Sequence, residues 1–177
     1  MGTENNPVWG VYDTLRTVRL NVKYYGYRLQ ALQRWNTAME ITLAVAAPSS
    51  AIAGLGFLKY DLGMLLWKAL GAVAAVVAVL KPVLSLTKRI KEMEGVISGY
   101  RGLDFDLLEL KLAIEQKRRY DAPLVAQFNR AIQRLRALVT GTAAQTLPPI
   151  KRLLRRCQAE VLTELPEDRF FIPEDEQ

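Results

Sequence analysis

Apolar positions in the middle of this chain form two unbroken runs. The first, residues 41–58, reads ITLAVAAPSSAIAGLGFL, and the second, residues 62–80, reads LGMLLWKALGAVAAVVAVL. Their single charged residue is Lys68. A helix needs roughly 20 mostly apolar residues to cross a bilayer core, with a range of about 17 to 25. The runs therefore predict a transmembrane helical hairpin, because the helices of a soluble bundle, the alternative, normally keep a polar face.

The predicted hairpin divides the chain into six segments. We expect a cytoplasmic amphipathic helix at residues 1–35, transmembrane helices at 36–58 and 62–86, an external tip at 59–61, a cytoplasmic helical region at 87–165 and an acidic tail at 166–177. Basic residues near a span are retained in the cytoplasm. They flank both spans on the side away from the tip: Arg16, Arg19, Lys23, Arg28, Arg34, Lys81, Lys88, Arg89 and Lys91. Lys59 is the only basic residue of the tip, so both termini are expected to be cytoplasmic.

Apolar residues on both sides of the spans recur at alternating intervals of three and four, which is typical of a coiled-coil seam. The first seam contains Val8, Val11, Leu15, Val18, Val22, Tyr25, Leu29 and Leu32. The second seam contains Leu86, Ile90, Met93, Ile97, Tyr100, Leu103, Leu107, Leu110 and Ile114. The two arms have similar lengths, so we predict that the seams pair antiparallel. Pro82 and the glycines of residues 99–102 predict helix breaks.

Two shorter helices are predicted after the second seam. Asp121 as N-cap and Pro123 in the first turn begin one, which ends at Gly141. Its inward stripe is Leu124, Phe128, Ile132 or Ala131, Leu135 and Leu138. The other runs from Ile150 to Leu165, and its inward residues are Leu153, Leu154, Cys157, Val161 and Leu162. The predicted fold class is an all-α membrane protein: a two-span hairpin extended by long antiparallel cytoplasmic helices, plus two shorter C-terminal helices.

The composition argues against an enzyme. The chain has no His and one Cys, Cys157, which excludes Ser-His-Asp and Cys-His catalysis, His-ligated metals and zinc sites with paired ligands. No glycine-rich phosphate loop is present. The carboxylates of Asp104, Asp106 and Glu109 are spread along one predicted helix and are expected to be solvated. We expect no catalytic residue, no metal and no cofactor.

Charge is distributed unevenly around the net value of +6. The acidic tail makes the rest of the chain more basic than the net value suggests, and such a body is attracted to anionic lipid headgroups or to ligand phosphates. Arg152, Arg155 and Arg156 are the candidate anion contacts, with no nucleic acid polymer expected. The tail contains Phe170 and Phe171 between two Pro-Glu-Asp repeats. It has three open alternatives: docking on its own basic body, docking on a partner, or disorder.

Polar residues within or beside the spans are candidates for lining a pore or packing the spans. Ser49 and Ser50 follow a proline, and their hydroxyls either face water or bond to the second span. Lys68 either anchors the helix at the interface or joins a ring of lysines in an oligomer. Glu40 and Lys81 flank the inner boundary. Small residues at four-residue spacing let spans approach closely, which favours a homo-oligomer.

The layout resembles a SLATT domain, a two-transmembrane module associated with bacterial nucleotide-signalling defence, over roughly residues 10–165. The resemblance rests on the aromatic and basic run KYYGYR (23–28) extending to Arg34-Trp35, the tight two-span hairpin, and a long helix with LLELK (107–111) ending in Arg119-Tyr120. It implies an anti-phage effector of the bacterial inner membrane that oligomerises and forms a pore or disrupts the bilayer. A sensor protein or a nucleotide signal would supply the trigger.

Two other functions fit the same pattern. A structural or adaptor membrane protein would recruit a soluble partner through the cytoplasmic coiled coil without toxicity. A holin-like pore former would share the two spans, although it would not need so large a cytoplasmic region.

Overall fold

The computed structural model describes residues 6–46, 61–141 and 148–173, and their regular structure is entirely helical. The five α-helices are α1 (Val8–Ala46), α2 (Asp61–Leu84), α3 (Leu86–Lys117), α4 (Ala122–Thr140) and α5 (Lys151–Glu164). A short 3₁₀ turn, Glu167–Arg169, follows. No strand occurs within these three ranges, which confirms the all-α prediction. Residues 47–60, which include much of the predicted first span and most of the tip, lie outside the described part.

The chain divides into two compact units. The first contains Met1–Arg28 and Glu92–Gln177, and the second contains Leu29–Lys91. Helices α1 and α3 each contribute residues to both. The first unit has a hydrophobic core to which α1, α3, α4 and the end of the chain contribute. In the second unit, Ala74 and Leu86 are buried among the described side chains.

The first predicted seam forms the buried face of α1. Val8, Val11, Leu15 and Val18 are fully buried, and the four later seam positions are half-buried. The second seam is confirmed in α3, where every predicted position is buried except Ile90, which is half-buried. Side chains at three- and four-residue intervals face one side of a helix, so each seam can bury its apolar area against another helix.

The two seams pack antiparallel in the first unit, as predicted. Tyr25 stacks on Tyr100 with ring centroids 5.7 Å apart, and Arg19 Nε lies 2.7 Å from Asp104 Oδ1. Residue numbers therefore fall along α1 as they rise along α3. Asp104 is only 9% exposed, which corrects the expectation that it is solvated. Its carboxylate tolerates burial because Arg19 neutralises it.

The break predicted at Pro82 occurs three residues later, at Ser85. Pro82 lies inside the last turn of α2, where its ring removes one backbone donor. Ser85 has a positive φ of 46°, and its hydroxyl donates to the Pro82 carbonyl at 3.2 Å. The chain there bends by 45° between α2 and α3.

The break predicted at residues 99–102 is wrong, because α3 continues through them. Gly99 serves close packing instead. A Cβ at this position would lie 2.5 Å from Leu138 Cδ2 of α4, so the missing side chain makes room for α4. Packing of this kind offsets the helix-propensity cost of glycine, about 1 kcal/mol.

Helices α4 and α5 follow the sequence closely. Asp121 caps α4 by accepting from the Leu124 backbone N–H, and Gly141 ends the helix. Of the two alternatives on its inward stripe, Ala131 is the buried residue. Helix α5 buries Cys157 and Val161, but Leu162 is 55% exposed, which contradicts its predicted inward position. With 3.6 residues per turn, Leu162 lies about 100° around the helix from Val161.

Leu107→Ala should destabilise the first unit by about 2–5 kcal/mol, because it removes a fully buried side chain and leaves a cavity. Leu112→Ala is the matched control on the same helix, since Leu112 is exposed, and should change the free energy by no more than about 0.5 kcal/mol. Urea unfolding followed by circular dichroism measures both variants. Equal effects would contradict the assignment of the seam as the core.

Candidate functional site

Among the described helices, α2 has the most large apolar side chains exposed. Its large exposed side chains are 41–74% accessible: Leu65, Leu70, Val73, Val76, Val79, Leu80 and Val83. Among the described α2 side chains only Ala74 is buried. A helix that is apolar all round belongs in a protein core or a membrane, and an apolar patch of this extent marks a surface that lipid or protein covers.

The end of α1 in the second unit shows the same character. Trp35, Ile41 and Val45 are each more than half exposed. We call the exposed apolar side chains of α1 and α2 in this unit the apolar surface. Within the described residues no single helix is both long and apolar enough to cross a bilayer. Lys68–Leu84 and Leu86–Lys117, taken together as a pair bent at Ser85, meet that requirement by length and composition.

The structure brings together two of the predicted site residues, Glu40 and Lys81. Lys81 Nζ lies 3.3 Å from Glu40 Oε1, and Asn36 Nδ2 donates to the same oxygen at 3.0 Å. The pair joins α1 to α2 within the second unit. A partly exposed ion pair contributes about 0–1 kcal/mol in water. Lys68 is exposed, and Ser49 and Ser50 lie outside the described residues.

The three predicted anion contacts on α5 do not form one set. Arg152 and Arg155 are exposed at the surface. Arg156 instead donates to Glu160 at 2.9 Å, and its guanidinium lies 4.9 Å from the centre of the Tyr27 ring. Arg156 therefore serves packing between α5 and α1, which leaves Arg152 and Arg155 as the candidates for anion contact.

A polar network joins α5 to α1. Lys23 Nζ bridges Glu164 at 2.7 Å and Glu160 at 3.2 Å. Tyr27 Oη also donates to Glu160, at 3.1 Å. The hydrogen bond from Arg156 is the main cause that holds the pKa of Glu160 below its ordinary value of 4.5, with Lys23 and Tyr27 adding to it. The hydrogen bond to Glu164 raises the pKa of Lys23.

The chain after α5 docks on its own basic body, one of the three predicted alternatives. We call residues 165–173 the C-terminal segment. Phe170 is 7% exposed and stacks on Tyr12 with ring centroids 4.2 Å apart. Arg16 donates to the Leu165 carbonyl at 2.8 and 3.0 Å and pairs with Glu167 at 3.0 Å. Residues 174–177 lie outside the described part.

Burial keeps the Tyr12 hydroxyl beneath this segment protonated. Tyr12 is fully buried, and its hydroxyl donates to the Phe171 carbonyl at 2.5 Å. Burial and the nearby Glu115 carboxylate raise the pKa of Tyr12 to about 12. The phenol is therefore a neutral donor throughout the physiological range, so the hydrogen bond persists there.

Sequence reasoning missed these polar contacts of α1. From the sequence alone, Arg16, Arg19 and Lys23 are used only to orient the predicted spans. With Tyr27 they form a second stripe at intervals of three and four, and the acidic residues at 160, 164 and 167 have matching intervals. Such complementary stripes indicate helix pairing, and this was the available signal.

No cluster of metal-ligating side chains occurs among residues 6–46, 61–141 and 148–173. In the same part of the chain, the groove at the α2–α3 bend is lined by Lys81, Pro82, Ser85, Leu86, Thr87 and Lys88.

No protein family model, curated protein or solved structure matches this chain.

Acid should weaken the docking of α5 through Glu160. The folded state lowers the pKa of this carboxyl. The ionised Glu160 therefore stabilises the folded chain fully at pH values above 4.5, its ordinary pKa, and this stabilisation is lost as the pH falls through the lowered pKa. Glu160→Gln should be less stable than wild type at neutral pH, with the difference shrinking in acid. Thermal unfolding of both chains, from neutral pH to below 4.5, measures this difference in stability.

Glu109→Gln is the control for that experiment, since Glu109 is an exposed carboxylate on α3. At neutral pH it should change the free energy of unfolding by no more than about 0.5 kcal/mol. A Glu160→Gln effect that is no larger than this, or that does not change with pH, would contradict the role assigned to the Glu160 carboxylate.

Proposed function

We propose that this chain is a membrane effector of a bacterial anti-phage defence system. It oligomerises and forms a pore in the inner membrane, or disrupts it, when a partner protein or a nucleotide signal triggers it. The apolar surface of the second unit is the single observation that most supports this proposal. The SLATT-like layout of the sequence supplies the biological setting.

The apolar surface favours lipid as the medium that covers it. Each Å² of apolar area left in water costs roughly 25 cal/mol, and seven large side chains of α2 are exposed. The charged residues of α2 are Asp61, at its first position, Lys68 and Lys81, and Lys81 pairs with Glu40. A helix of this kind loses little by entering hydrocarbon, because its backbone polar groups are already hydrogen-bonded within the helix.

The proposed topology places both termini in the cytoplasm. Arg34, Lys88, Arg89 and Lys91 lie near the ends of the apolar segments and are exposed, as the retention of basic residues on the cytoplasmic side requires. The first unit then lies where a cytoplasmic sensor or a nucleotide can reach it. Arg152 and Arg155 are exposed cations suited to such an anionic signal.

Oligomerisation follows from the composition of α2. Gly71, Ala72, Ala75 and Ala78 are exposed small residues on this helix, and small residues let neighbouring membrane helices approach closely. Two spans enclose no aqueous path alone, so a pore needs several copies. Lys68 is then the candidate for a ring of charges.

Expression in a bacterium loaded with a membrane-potential dye tests the proposal. The chain should fractionate with the inner membrane, and induction together with its trigger, supplied by co-expressing neighbouring genes, should depolarise the cells. A chain that stays monodisperse in detergent-free buffer would contradict the membrane assignment. Unchanged potential and permeability after triggering would contradict the pore.

The Val76→Lys substitution tests whether α2 is surrounded by lipid or by water. At the centre of a span an added lysine costs about 2.5–3.5 kcal/mol of insertion free energy, so membrane association should fall sharply. Leu162→Lys is the control, because Leu162 is an exposed leucine of α5 in the first unit, and its membrane fraction should match wild type. Membrane flotation measures both, and equal recovery of the two variants would contradict the proposal.

An adaptor role is the second candidate, and the first unit favours it. This unit packs its own core and retains exposed apolar side chains, such as Phe105 at 69% exposure, on which a soluble partner could dock. An adaptor predicts no toxicity on overexpression and a stable complex in a pull-down. A holin-like role predicts lysis that needs neither a partner nor a nucleotide.

A further inference from the structure

The backbone of the C-terminal segment (residues 165–173) is held by side chains of α1 and by Asn6, which precedes that helix. Arg16 donates to the Leu165 carbonyl, Tyr12 donates to the Phe171 carbonyl, and Asn6 Nδ2 donates to the Pro173 carbonyl at 3.2 Å. Apart from one 3₁₀ turn the segment has no helix or strand of its own. Bonds to backbone carbonyls do not depend on the identity of the bound side chains, so another peptide that adopts the same backbone, including the 3₁₀ turn, can satisfy them.

Two side chains of the segment add selectivity. Phe170 stacks on Tyr12 and lies edge-on to Trp9, with ring centroids 6.2 Å apart. The Arg16 guanidinium also lies over this ring, 4.9 Å from its centre. Three residues earlier Glu167 pairs with the same guanidinium. Arg16 therefore binds both a carboxylate and an aromatic ring that lie three residues apart in the segment.

The surroundings of this surface match an acidic ligand. Lys111 Nζ, which also pairs with Glu115 at 2.5 Å, lies 6.0 Å from the centre of the Phe170 ring. The Arg118 guanidinium lies 5.5 Å from the centre of the Phe171 ring. The segment and the residues after it are acidic. Basic side chains around an aromatic site attract such a sequence and orient it on approach.

The resident segment does not satisfy every group beneath it. Trp9 Nε1 is buried, yet it has no acceptor among the described residues, although its ring contacts Phe170. The Glu167 side chain is 71% exposed, and Phe171 and Ile172 are only half-buried. The segment can therefore leave from its exposed side, and a competing peptide can supply the acceptor that Trp9 lacks.

We propose that this surface is a peptide-recognition groove, occupied at rest by the chain's own C-terminal segment. Its residues are Asn6, Trp9, Tyr12, Arg16, Lys111 and Arg118. Its partner is a protein that presents an acidic segment able to adopt the same turn, with a carboxylate three residues before a pair of aromatic residues. Such a partner displaces the resident segment and takes its place.

Tethering keeps the groove closed at rest. The segment follows α5 without a linker, and the Lys23 network joins α5 to α1. A tethered ligand acts at a high effective concentration, so an external peptide binds with an apparent affinity reduced by the small open fraction. Weakening the resident segment while leaving the groove intact should therefore tighten external binding.

The experiment uses the full chain and a fluorescent peptide of sequence LPEDRFFIP, residues 165–173. Phe170→Ala in the chain should bind this peptide about tenfold more tightly than wild type, because its own segment competes poorly. Arg16→Ala alters the groove itself and should bind no more tightly than wild type. Arg169→Ala, at an exposed position of the segment, is the control and should match wild type. Fluorescence anisotropy measures all four.

Two outcomes would overturn the proposal. If Phe170→Ala fails to fold, or folds and binds no more tightly than wild type, the segment is an integral part of the core. An oligomer of the wild-type chain that Phe170→Ala abolishes, measured by light scattering, would assign the groove to a second copy. The binding assay reads neither membrane insertion nor ion flow, so its result is independent of the proposed pore.

Discussion

The antiparallel packing of α1 on α3 is the contact on which the first unit depends. Tyr25 meets Tyr100 at one level and Arg19 meets Asp104 at the next. The apolar seam provides most of the stabilisation, whereas the ion pair at Arg19 specifies the register. A shift of one helical turn would leave Asp104 buried without its partner, which costs more than the ion pair contributes. Every other element of the unit packs on surfaces that this pairing creates.

Each face of the paired helices receives a different element. Gly99 receives the Leu138 side chain of α4, which a Cβ at this position would force to move. Lys23 and Tyr27 hold α5 through Glu160. The same helix, about two to four turns nearer its N-terminus, holds the end of the chain through Tyr12 and Arg16. Helix α1 therefore supplies an apolar seam to α3 and a polar stripe to α5 and to the C-terminal segment.

The two units need different surroundings. The first buries its apolar seams and presents charged side chains, so water suits it. In the second, α2 has a single buried residue among its described side chains, and its large apolar side chains are exposed. Because apolar surface in water is costly, this unit is complete only with lipid or protein around it. The proposed effector uses that difference: one unit for the bilayer and the other for the signal.

Local patterns determined most of the secondary structure. The seams, the Asp121 cap and the end of α4 at Gly141 follow from side-chain periodicity and capping chemistry, which act within a few residues. The continuous α3 at Gly99 and Gly102 did not follow, because local propensity predicts a break there. The approach of Leu138 accounts for the glycine at position 99, whereas no contact accounts for Gly102. The outward position of Leu162 likewise depends on which face of α5 meets α1.

The candidate site likewise has features that the sequence determined and features that only the tertiary structure decided. The sequence alone determined that the apolar residues of the middle are concentrated in long runs, and that the end of the chain is acidic with aromatic residues at its centre. Only the tertiary structure decided that Arg16 binds both Leu165 and Glu167, about 150 positions away, and that Arg156 is used for packing. Periodicity records which face of a helix is apolar, but the partner of a polar side chain depends on contacts between distant segments, which no local pattern encodes.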